Sequence, residues 1–223
     1  MGQMLTLRTV DGKTISAYRA DPPGTPKGAV VVLQEIFGVN GHIRSVADRF
    51  AAAGYVAIAP ALFDRAQIGV ELGYEPSDAQ QGLKLRASIA EEATFADIRA
   101  AIEAVSGHGK VGIVGYCWGG SLAFAAANRV PGLSAAVGYY GGQIVGQFLN
   151  CTPKIPVLLH FGEQDDHIPQ SDVGKIRARH PDVEIHTYPA GHGFNCDVRA
   201  SYDAGCAALA LDRTLAFFAS HLS

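Results

Sequence analysis

Residues 115–120 read Gly-Tyr-Cys-Trp-Gly-Gly, with an apolar run before them and helix-forming residues after. A thiol at such a junction, with glycine two residues before and two after it, has the layout of a nucleophile elbow. The turn is so tight that larger side chains at the flanking positions would collide. Gly115 and Gly119 leave that space open, and Gly120 and Ser121 keep the first helical turn slim. At a helix N-terminus the partial positive charge favours a Cys117 thiolate. The backbone N–H of Trp118 would point at an oxyanion forming beside it. The bland alternative is a small buried cysteine, which is common.

An ordinary thiol is only a few per cent ionised at neutral pH, so Cys117 needs activation. Two later loops offer it. Val157–Phe161 reads as a strand, and the loop GEQDDHIP after it carries Glu163, Asp165, Asp166 and His167. Val183–Tyr188 reads as the next strand, and its loop PAGHGFNC holds His192 between two glycines. The chain order is Cys117, then Asp165 or Asp166, then His192, the order nucleophile–acid–histidine of a hydrolase built on a parallel sheet. His192 would take the thiol proton or hold the ion pair, then activate water, while the aspartate fixes its tautomer. His160, inside a strand, and His167, in the acid loop, read as structural.

The surrounding elements must place these loops on one sheet edge. Leu5–Val10 and Ile15–Ala20 alternate about Asp11-Gly12 and read as a hairpin. Ala29–Gln34 is a β-branched run suited to a strand buried on both faces, and Tyr55–Ala59, Lys110–Gly115 and Leu133–Tyr139 also read as strands. His42–Ala53, Trp118–Arg129, Asp172–His180 and Ser201–Ser220 have helical periodicity. So does Ala79–Ser106, with a break, Ser77 being its candidate cap. Leu62–Pro76 is irregular and reads as a loop or lid. Strands alternating with helices predict an α/β fold with a mostly parallel sheet and helices on both faces, residues 1–223 forming one domain.

With these residues in view, the sequence resembles the dienelactone hydrolases (carboxymethylenebutenolidases), a cysteine-nucleophile branch of the α/β-hydrolases. QEIFGVN at 34–40, GYCWGG at 115–120, VGYYGG at 137–142, GEQDDHIP at 162–169 and AGHGF at 190–194 carry the resemblance in the family's order. It implies that Asp165 is the acid. It also implies that Glu35 interacts with the resting thiol and moves when substrate binds, and that Ile36 N–H is the second oxyanion donor beside Trp118. The family holds a substrate carboxylate with two arginines. Here Cys196 stands at one of those positions and Ala79 at the other, with Arg199, Lys84 and Arg86 nearby. That reading points to a neutral ester or lactone. Phe37, Tyr139 and Arg86 are candidate substrate contacts, and Cys196 an oxidation liability near the site.

A net charge of −3 and no basic tail leave no footprint for nucleic acid or an anionic membrane. No run is long enough to span a bilayer, and the N-terminus lacks a signal-peptide layout. The four cysteines have no zinc-type spacing, so reduced thiols, a cytoplasmic location and no metal or organic cofactor are expected. The partner is a small ester or lactone, and the chain a monomer or small homo-oligomer. Two rival readings are a non-catalytic small-molecule binder that kept the fold, and a thiol redox protein, for which Cys117 lacks a nearby resolving cysteine.

Overall fold

The computed structural model describes residues 2–222; Met1 and Ser223 lie outside it. β3 (Ala29–Leu33), β4 (Val56–Pro60), β5 (Val111–Tyr116) and β7 (Val157–Gly162) are buried at every position. Continuous burial means that both faces are covered, as in a parallel sheet between helix layers. With β1 (Gln3–Arg8), β2 (Thr14–Ala20), β6 (Leu133–Tyr139) and β8 (Glu184–Tyr188) they form one eight-stranded sheet, in the order β1-β2-β4-β3-β5-β6-β7-β8. β1 and β2 form the expected hairpin and β2 pairs antiparallel with β4. All other pairings are parallel.

From β3 the chain runs to β4 on one side and returns to β5 on the other. That reversal opens a crevice beyond the carboxyl ends of β3 and β5, where ligands bind in open α/β sheets. The segments leaving these two strands begin with Gln34-Glu35-Ile36 and with Cys117.

The described residues hold six α-helices: α1 (Gly41–Ala52), α2 (Pro76–Ala87), α3 (Glu91–Val105), α4 (Trp118–Arg129), α5 (Gln170–Arg179) and α6 (Ala204–Leu222). A Cβ on Gly112 would strike Phe218 and Leu222 of α6, and one on Gly115 would strike α4 at Gly119. Positions 112 and 115 differ in parity, so α6 and α4 lie on opposite faces of β5.

Two helix starts differ from expectation for a local reason. α2 begins at Pro76, because Glu75 and Asp78 form a reciprocal capping box and proline suits the first turn, so Ser77 is not the cap. α6 begins after Asp203, whose Oδ1 accepts the Cys206 N–H at 2.8 Å. The break expected within 79–106 falls at Ser88–Ala90, and the segment ahead of α2 is a loop with one short helical turn at Leu62–Arg65.

Candidate active site

The elbow glycines work by steric exclusion. A Cβ on Gly115 would lie 2.0 Å from the Gly119 carbonyl oxygen, and one on Gly119 would lie 2.6 Å from both the Leu33 and Gln34 carbonyl oxygens. Cys117 itself sits at φ 53°, ψ −112°, a conformation few non-glycine residues adopt. Its N–H donates to the Tyr139 carbonyl at 3.0 Å, and the Gly119 N–H donates to the Gln34 carbonyl at 3.1 Å. The second bond ties the elbow to the segment after β3. It brings the peptides of Ile36 and Trp118 to the same cavity, which both residues line. Trp118 is the first residue of α4, so its N–H has no intrahelical acceptor.

Beside the elbow, the loops after β7 and β8 meet. Asp165 Oδ2 lies 2.8 Å from His192 Nδ1, and Asp165 Oδ1 accepts the N–H groups of His167 and Ile168 at 2.8 and 3.1 Å. The carboxylate is therefore fixed by its own loop. Cys117 lines the same cavity as that imidazole, and its charge acts on the ring. Burial acts to lower the His192 pKa, but the hydrogen bond to Asp165 and the interactions with Cys117 outweigh it, raising it to about 10. Asp166 is exposed, and Glu163 accepts instead from Thr187 Oγ1 at 2.9 Å.

A cavity of about 350 Å³ opens over Cys117 and His192. Ile36, Phe37 and Trp118 form its apolar wall, with Ala79, Leu83 and Arg86 of α2 above and His167 and Arg199 to the side. Arg86 and Arg199 reach it from positions other than those the family uses, so losing the family's arginine positions does not leave the cavity without cations. With its amide oxygen turned toward Arg86, Gln143 accepts from Nη1 at 3.1 Å. Burial pushes the Arg86 pKa down, as expected for a cation without a carboxylate partner among the described residues, and the Cys117 charge opposes that. Arg199 Nη1 lies 3.3 Å from Glu35 Oε1. Burial is the largest influence and lowers its pKa, but Glu35 together with Tyr140, Cys117 and Cys196 outweighs this and the net direction is up. Gly193, at φ +77°, leaves room for that guanidinium, since a Cβ there would lie 2.4 Å from Arg199 Nη1.

Phe37 and Arg86 line the cavity as expected. Tyr139 does not: it is fully buried, its hydroxyl 2.6 Å from Thr214 Oγ1 of α6, and it serves the elbow through its carbonyl. Tyr140, at φ 38°, turns its ring to 5.1 Å from that of His192. Glu35 is fully buried, and its bonded partner is Arg199. His160 is a core residue between Tyr188 and Thr214, and burial holds its pKa well below the ordinary value. His167, expected to be structural, lines the cavity with its ring 5.0 Å from that of His192. Cys196 is fully buried, which removes the ground for calling it an oxidation liability, and all four cysteines are free thiols.

Sequence reading did not place Arg199, Gln143 or His167 in the site. For Arg199 the one available signal was its position seven residues after His192. No described helix is long and apolar enough to cross a membrane.

Comparison with known proteins places the chain in a family. The dienelactone hydrolase family model matches residues 15–222. A carboxymethylenebutenolidase of Pseudomonas putida is 36% identical over 228 residues, covering 96% of this chain and 95% of that one. A solved structure named as a candidate dienelactone hydrolase, from Klebsiella pneumoniae, is 32% identical with a TM-score of 0.86, covering 98% of this chain and 100% of that one. An esterase of Pyrococcus furiosus, 14% identical with a TM-score of 0.72 and covering 100% of this chain and 93% of that one, shares the fold. The chain belongs to the dienelactone hydrolase family and is an α/β-hydrolase that cleaves esters or lactones.

Proposed function

We propose that the enzyme opens small carboxylate-bearing lactones or esters by thiolate catalysis, with Cys117, His192 and Asp165 as its triad. The observation that carries this reading is the Asp165–His192 pair, 2.8 Å between carboxylate and ring, with His192 and the elbow residue Cys117 lining one cavity.

The Cys117 thiolate attacks the substrate carbonyl carbon, and the carbonyl electron pair moves onto oxygen. The N–H groups of Ile36 and Trp118 stabilise that oxyanion. As the tetrahedral species collapses, the ester oxygen leaves and takes the proton from His192, and a thioester forms on Cys117. Neutral His192 then removes a proton from water, which attacks the thioester. The acid product departs, and the thiolate–imidazolium pair is restored. Asp165 holds the ring tautomer and offsets the imidazolium charge throughout. Glu35 exchanges between the resting thiol and Arg199, so the state with Glu35 on Arg199 is the one in which His192 holds the proton.

An anionic substrate is favoured here over the neutral one expected from the sequence because two guanidiniums line the cavity. Arg86 carries a charge that Gln143 solvates without neutralising, and a substrate carboxylate would do both.

The test pairs intact-mass spectrometry with steady-state rates on a carboxylate-bearing dienelactone, a neutral enol-lactone and a short p-nitrophenyl ester. An acyl adduct on Cys117, absent from Cys117→Ala, and preference for the carboxylate lactone are expected. Hydrolysis surviving in Cys117→Ala overturns the nucleophile. Neither adduct nor turnover with any compound would indicate a binder, and preference for the neutral compounds would remove the arginines' role.

A further inference from the structure

Behind the cavity, three buried side chains converge that the proposed reaction does not use together. One oxygen of Glu35, one ring nitrogen of His42 and the sulfur of Cys196 all lie within 4.8 Å of one another. Glu35 and Cys196 are 0% exposed and His42 is 4% exposed. Two of these three side chains each hold a polar atom buried without a hydrogen-bond partner, Glu35 Oε2 and His42 Nε2.

The tautomer of His42 sharpens this. His42 Nδ1 lies 3.0 Å from Asp197 Oδ1. An ionised carboxylate only accepts, so Nδ1 carries the ring proton and Nε2 presents a lone pair. Glu35 Oε2 is also an acceptor. Two buried acceptors at one spot repel unless a cation lies between them. The thiol of Cys196 adds a third donor, and Asp197 behind His42 is the carboxylate–histidine pair that orients metal-bound imidazoles.

We propose that Glu35, His42 and Cys196 form a binding site for a borderline-soft divalent cation of the zinc type. The donor set of one sulfur, one nitrogen and one oxygen suits zinc and not magnesium or calcium, which take oxygen ligands. Ligand atoms around tetrahedral zinc stand about 3.5 Å apart, so the three donors close in from separations of up to 4.8 Å on binding. On binding, the Cys196 S–H proton leaves to solvent and a metal–sulfur bond forms. Glu35, thiolate Cys196 and Asp197 carry three negative charges and Arg199 one positive, so a divalent ion balances the cluster. A bound ion would hold Glu35 away from Cys117 and slow turnover. That consequence rests on the proposed role of Glu35, whereas binding does not.

The test uses Cys117→Ala, which removes the thiol of the active site as a competing ligand. Titration with Co²⁺ should give sulfur-to-cobalt charge-transfer absorption at one equivalent, with displacement by Zn²⁺. Cys196→Ser should abolish the band and His42→Gln should weaken binding at least tenfold. Asp197 is half-exposed, so Asp197→Asn should fold normally and lower affinity by about 10- to 100-fold. The proposal is overturned if Cys117→Ala binds neither ion, as expected for a site closed by a proton or water, or if Asp197→Asn and Cys196→Ser bind as well as their parent.

Discussion

Cys117 is held at an unfavourable φ by bonds from its neighbours, and its charge is tied to that of His192. Two of the influences raising the His192 pKa come from Cys117. Removing the thiol therefore lets the ring lose its proton more easily, and in Cys117→Ala the pKa should fall from about 10 toward the ordinary histidine range. Titration of the His192 ring by NMR measures this, and an unchanged pKa would show that Asp165 alone sets it. Cys117→Ser keeps the geometry but not the acidity, so kcat/KM should drop by on the order of a hundredfold or more. Wild-type kinetics in that variant would remove the need for Glu35. Arg86 is tested by Arg86→Gln. Loss of a charged hydrogen bond is worth about 1.5–3 kcal/mol, so the carboxylate lactone should lose on the order of tenfold to a hundredfold in kcat/KM while a neutral ester loses little.

α2 is the least anchored element of the site. Gly82 is its one buried residue, and a Cβ there would lie 1.9 Å from the Ile36 carbonyl oxygen. The helix thus rests directly on the carbonyl of Ile36, the residue whose N–H is the proposed oxyanion donor, and glycine permits that approach. Gly82→Ala favours the isolated helix by about 1 kcal/mol but must push α2 off Ile36 or turn the Ile36 peptide. Activity should fall by on the order of tenfold, a fraction of what losing an oxyanion donor costs, while the unfolding midpoint stays near wild type. A large stability loss with intact kcat would place the role of Gly82 in folding. Such shallow anchoring also predicts faster amide hydrogen exchange in α2 than in α4, nearly all of which is buried.

At the scale of the molecule, one ion cluster joins the hairpin to the helix layer. Arg65, in the turn after β4, bonds Asp97 of α3 at 2.6 and 2.9 Å and also Asp11 at the β1–β2 turn. Asp97 is fully buried, so Arg65→Ala would leave its charge without a partner, at a cost of about 3–5 kcal/mol. Urea unfolding should show this, and a second change, Asp97→Leu, should recover much of it because no buried charge then remains. A loss below about 1 kcal/mol would mean that water reaches Asp97.

The elbow, the acid loop and the histidine loop could be read from the sequence because each rests on local physics. Gly115 and Gly119 answer a steric demand within five residues, and the chain order of Cys117, Asp165 and His192 follows strand succession. Strand and helix positions were legible for the same reason, since continuous burial leaves an unbroken apolar run, as at Ala29–Leu33. The orientation of Tyr139 was not legible. When both faces of a strand are covered, alternation no longer marks which side faces a site, and α6 claimed this ring. Nor did sequence place Arg199 on Glu35, 164 residues away, or His42 against Asp197, 155 residues away. Those meetings depend on which crossovers bring distant loops to one sheet edge. The sequence by itself determined which residues are proposed as nucleophile and partners, because their spacing rests on local physics; tertiary packing decided which cations line the cavity beside them.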